Sequence, residues 1–94
     1  MPNIHLEGSL LIQDVEGWHE RLLGAFSSEG PITIDLSGLV TVDSAGIQLL
    51  LAARHEAGNL GRTLEFAGAT SRFDDAVGLL GLREALFGAA RHEP

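Results

Sequence analysis

The chain has 94 residues, no cysteine and a net charge of −7. That suits one compact domain and excludes disulfides, thiolate zinc sites and cysteine nucleophiles. Its basic residues are arginines scattered at 21, 54, 62, 72, 83 and 91, a pattern that speaks against nucleic-acid binding and against electrostatic docking on anionic lipid.

No apolar run approaches the about 20 residues that span a bilayer. The start Met1-Pro2-Asn3-Ile4-His5 has no basic segment leading into an apolar one. Neither membrane insertion nor a signal peptide is therefore expected, and the expected location is cytoplasmic.

Asn3 to Ile12 reads as extended, with Gly8 a candidate bulge or bend. Asp14 is a candidate N-cap, with Glu16 in the first turn. Val15, Trp18, Leu22, Ala25 and Phe26 then recur at helical spacing, and Gly30-Pro31 ends that helix. Ile32-Thr33-Ile34-Asp35-Leu36 alternates as a strand. Ser37-Gly38 predicts a turn, and Leu39 to Val42 a connection or a second short extended piece.

A helix from Ser44 or Ala45 to about Ala57 follows, with Ile47, Leu50, Leu51 and Ala53 on a wide apolar arc. Gly58-Asn59-Leu60-Gly61 is its expected stop. Arg62 to Ala67 predicts the next strand. Ser71 and Asp74 have capping-box spacing before a helix with Phe73, Ala76, Val77 and Leu80 on its apolar face. Leu82 to Ala90 predicts a further short helix, and Arg91 to Pro94 a polar tail. Strands alternating with helices predict a single α/β domain over residues 1–94 with a partly parallel sheet.

The junction at Asp43-Ser44-Ala45-Gly46 carries the most chemistry. It places one hydroxyl at a helix N-terminus, where backbone N–H groups are unpaired and the dipole favours negative charge. Ser44 reads either as a cap or as a phosphorylation site in a switch. Asp43 reads as a cap or as part of a partner-facing surface. Gly46 in a first helical turn costs up to about 1 kcal/mol relative to alanine, which a close backbone approach would explain. Ile47 reads as core or as an apolar contact at an interface rim. Gln48, His55 and Asn59 form a polar line along the helix.

Other signals are weak. The histidines have no ligand-like spacing, so no metal is expected. Neither a Gly-x-Ser-x-Gly elbow nor a phosphate-binding or dinucleotide fingerprint occurs. Asp74-Asp75 reads as a complement to a helix dipole rather than a catalytic pair. No cofactor and no enzymatic activity are expected.

Val42-Asp43-Ser44-Ala45-Gly46-Ile47 after Ile34-Asp35-Leu36 resembles the STAS domain, the fold of bacterial anti-sigma factor antagonists. The similarity continues through Gly61-Arg62-Thr63-Leu64-Glu65-Phe66 and Leu79-Leu80-Gly81-Leu82, covering about residues 6–86. It implies a small mixed sheet of about four strands with helices mainly on one face. It also implies a phosphorylation-controlled partner switch in bacterial signalling, with Ser44 as phosphoacceptor. Asp43, Ser44, Ala45, Gly46, Ile47 and Gln48 would form the partner surface. The implied partners are a GHKL-type serine kinase or anti-sigma factor and a phosphatase.

The chain departs from the family pattern in places. Only seven residues precede Gly8, so one edge strand of the family is expected to be missing. Leu11 and Asp14 stand where the family often has an acidic residue and a threonine. The stretch after Leu82 is short. These trims resemble STAS proteins that accompany chemotaxis-like kinases, to which Ile47-Gln48-Leu49-Leu50-Leu51-Ala52-Ala53 looks closest. They also resemble the cytoplasmic subunit of phospholipid-transport ABC systems. The alternative function is therefore an accessory subunit docking on the ATPase of such a transporter.

Overall fold

Two hydrophobic periods organise the chain, and they alternate. The structure, a computed structural model, describes residues 3–87. β1 (Asn3–Leu10) leads through a 3₁₀ turn (Ile12–Asp14) into α1 (Val15–Phe26). β2 (Ile32–Val42), α2 (Ser44–Asn59), β3 (Leu64–Ala67), α3 (Ser71–Leu79) and α4 (Arg83–Phe87) follow. The predicted residues Gly88 to Ala90 of the last helix, and the tail 91–94, lie outside the described residues.

The strands form one sheet in the order β1-β2-β3, and both pairings are parallel. Successive crossovers of the same hand across such a sheet put their helices on the same face. Burial follows that rule. Ile4, Leu6, Ile32, Ile34, Leu36 and Leu64 are buried, while their neighbours His5, Glu7 and Glu65 are exposed. The buried set continues into Leu22, Ile47, Leu50, Phe73, Val77 and Leu86 from the helices, giving one core. One sheet layer and one helix layer make a slab of 36 × 33 × 19 Å.

The α/β architecture with helices on one face is as expected, with two refinements. Three strands are described where about four were expected, and an antiparallel neighbour that would make the sheet mixed is not among them. Ser37-Gly38 is not a turn: β2 runs unbroken for 11 residues. Register shifts between His5 and Glu7 and between Gly8 and Ser9 absorb the irregularity as bulges. Gly38 fits there because a Cβ would lie only 3.0 Å from the Leu6 carbonyl oxygen.

Helix ends also differ in detail. α2 continues through Gly58 to Asn59, and the glycine with positive φ behind it is Gly61 (φ 68°). Thr70, not Ser71, caps α3, its hydroxyl accepting from the Phe73 N–H at 3.1 Å. Asp74 instead pairs with Arg83 at 3.0 Å, tying α3 to α4.

Arg62 closes the far end of the sheet. Its guanidinium donates to the carbonyls of Phe26 (2.9 Å) and Gly30 (2.6 and 3.1 Å). These are carbonyls at and just beyond the end of α1, where a cation complements the dipole.

Candidate functional site

β2 ends at Val42, and Asp43 takes an extended backbone (φ −120°, ψ −177°) before α2 starts. Asp43 uses both carboxylate oxygens. Oδ1 accepts from the Gly46 N–H at 2.9 Å, satisfying one orphan donor of the helix. Oδ2 accepts from the Ile12 N–H at 3.0 Å. The Asp43 N–H donates to the Leu10 carbonyl at 3.3 Å. One residue thus joins the end of β1 through its backbone, and the 3₁₀ turn and the start of α2 through its side chain.

The residues after it divide sharply. Ser44 is exposed as the first residue of α2, Ala45 is half-buried and Gln48 is exposed. Gly46 and Ile47 are buried, so they support the surface from behind and are not part of it. A Cβ on Gly46 would press on the Leu10 carbonyl oxygen and sit 2.7 Å from Leu10 Cγ. The glycine is there so that α2 can lie directly on β1. His55 and Asn59 continue the exposed line of α2 toward its C-terminal end.

Two exposed apolar residues on the segments leading to this surface were not singled out by sequence. Ile12, whose N–H meets Asp43, is 70% exposed, and Val40, near the end of β2, is 62% exposed. Ile12 reads in sequence as the end of a strand. Val40 is the extra residue of the second bulge, between Leu39 and Thr41, where strand parity no longer reports the exposed side. Gln13, Thr41, Ser44 and Gln48 are also exposed, and the Arg72 guanidinium donates to the Val40 carbonyl at 3.4 Å.

Asp14, expected as a cap, turns backward. Its Oδ2 accepts from the Ser9 hydroxyl at 2.7 Å and the Leu11 N–H at 3.0 Å. The Ser9 hydroxyl, and then the Leu11 amide, hold its carboxyl below the usual range. On the opposite face of the sheet His5 lies between Asp35 (2.8 Å) and Glu7 (3.2 Å). Among the described residues no cluster of three or more His, Asp or Glu is placed to hold a metal ion, and no helix is long and apolar enough to cross a membrane.

In structure the chain is similar to a sulfate transporter family protein from Wolinella succinogenes. The TM-score is 0.72 at 19% identity, covering 90% of this chain and 70% of that one. It is also similar to a structure described as Mglu, with a TM-score of 0.62 at 17% identity, covering 69% of this chain and 16% of that one. At these identities the likeness is one of fold. No curated protein sequence matches it significantly. The family model described as "Mlab, STAS domain" matches residues 1–88, and with that match the chain belongs to the STAS domain family, whose general role is protein interaction and signalling.

Proposed function

We propose that the protein is a non-enzymatic switch that docks on a partner protein through the start of α2 and is released when Ser44 is phosphorylated. The observation that carries this reading is the exposed Ser44 hydroxyl at a helix N-terminus, next to the doubly bonded Asp43, which ties the exposed Ile12 to the helix start. Asp43 fills the capping role, which leaves the Ser44 hydroxyl without one.

A phosphoserine carries about −1.5 to −2 charges. At this helix end it would gain about 0.3–1 kcal/mol from the dipole. Asp43 opposes it by up to about 4 kcal/mol per charge pair at 4 Å and an effective dielectric of 20, a value reduced by screening at an exposed site. These terms offset each other within the domain. Desolvating an unpaired dianion inside an interface is the larger penalty, so phosphorylation acts on binding and leaves the fold intact.

In this reading a GHKL-type serine kinase or anti-sigma factor phosphorylates Ser44 and a phosphatase resets it, and the protein needs no cofactor. Affinity copurification with Ser44→Ala and Ser44→Asp is the test. Ser44→Asp should lose the partner, Ser44→Ala should keep it, and both should unfold like the parent. Equal retention of the partner by all three forms would reject the switch.

A second reading is favoured by the Mlab description of the family model and the sulfate transporter neighbour. Here the same surface docks on a transporter ATPase without obligatory phosphorylation. A copurifying ABC ATPase, insensitive to Ser44→Asp, would establish it.

A further inference from the structure

A hollow of about 240 Å³ lies between α1 and α2, lined by Leu22, Leu23, Phe26, Leu49, Ala52 and Ala53. His19 closes it beside α1 and Glu56 beside α2. The lining positions on α1 are 19, 22, 23 and 26, and those on α2 are 49, 52, 53 and 56. Each set follows i, i+3, i+4, i+7, one helix face about two turns or 11 Å long. The hollow exists because Ala52 and Ala53 are short where α1 offers Leu22, Leu23 and Phe26. Leu23 remains 52% exposed at its edge.

The rim is acidic. Glu16 and Glu20 precede Leu23 on one exposed row of α1, and Glu56 lines the groove on α2 toward its other end, level with Phe26. Among the described residues none of these three carboxylates forms an ion pair.

We infer that this groove binds a cationic amphipathic helix of a partner protein. Two parallel apolar faces with small residues between them accept a ridge of side chains at i, i+3 or i+4, and i+7. Lysines or arginines beside that ridge meet Glu16, Glu20 and Glu56. The same rim repels a second copy of this chain, at net charge −7, and an anionic bilayer. The groove is separate from Ser44, and the inference stands whether or not Ser44 is phosphorylated.

The test is selection from an open library of helical peptides of about 14 residues, four turns, against the full chain and against Ala52→Arg. Ala52 is exposed, so the arginine fills the hollow without entering the core. The parent should enrich peptides with an apolar ridge flanked by Lys or Arg. Their Kd should weaken about tenfold or more with Ala52→Arg and with Glu56→Lys, and amide shifts should cluster on α1 and α2. Ser44→Asp should leave this binding unchanged, which separates the outcome from that of the switch. Leu23→Gln replaces Ala52→Arg if the latter loses its folded spectrum. Enrichment of acidic or extended peptides, binding indifferent to Ala52→Arg, or no enrichment overturns the inference. So does light scattering that shows a dimer split by Ala52→Arg, which would assign the groove to a second copy.

Discussion

Asp43 shows how much one side chain can organise. It caps α2 and at the same time holds the Ile12 amide of a segment far away in sequence. Asp43→Ala removes both acceptors and is expected to cost about 1–3 kcal/mol in urea unfolding. Asp43→Asn should cost less, because one oxygen still faces Gly46 while the NH2 group meets the Ile12 donor. An Asp43→Ala variant as stable as the parent would remove the structural role. Asp14 provides a pH test of the same kind. Its folded pKa is depressed, so its contribution is present above the unfolded carboxylate pKa of about 3.9 and is lost as pH falls through the lower folded value. Ser9→Ala removes the first cause of that depression. The Asp14 carboxyl should then titrate at higher pH by NMR, and acid unfolding should begin at higher pH. Asp35, held low mainly by the Ser37 amide and then by its hydroxyl and His5, adds a loss of the same sign.

At the scale of elements, glycines separate into those that packing requires and those it tolerates. Gly46→Ala drives a methyl into Leu10 and is expected to cost about 1–3 kcal/mol as overpacking. Gly58 lies in the same helix, and a methyl there would meet nothing within 4 Å, so it should behave oppositely. Gly58→Ala is expected to stabilise by about 0.5–1 kcal/mol. Thermal or urea unfolding of the two variants side by side checks the contrast, and equal effects would disprove it. Element types were readable because each carries its own period: alternation in Ile32 to Leu36, and helical spacing from Val15 to Phe26. Boundaries were less so. Ser37-Gly38 carries turn chemistry, yet β1 runs alongside and converts it into a bulge. Thr70 rather than Ser71 caps α3, a choice between adjacent hydroxyl residues that backbone geometry makes.

Among the described residues the sheet has one face covered by helices and one face without a helix layer. Parallel sheets are usually covered on both faces. Here the second face instead carries the polar residues Asn3, His5, Glu7, Thr33, Asp35 and Glu65. With a net charge of −7, mutual repulsion among carboxylates opposes the compact state. Raising ionic strength from about 0.01 M to 0.15 M shortens the screening length from about 30 to 8 Å. The thermal midpoint should therefore rise over that range; a fall would show that specific ion pairs outweigh the net repulsion.

Local patterns in the sequence determined the α/β class, the apolar faces and the arrival of one serine at a helix start. Those properties depend on residues a few positions apart. Tertiary structure alone decided that Gly46 exists to admit Leu10 and that Asp43 bridges to the exposed Ile12. It also decided that the short side chains of Ala52 and Ala53 leave a groove against α1. Each of these is a meeting of segments distant in sequence, and their spacing is set by how helices settle on a twisted, bulged sheet, which no local period encodes.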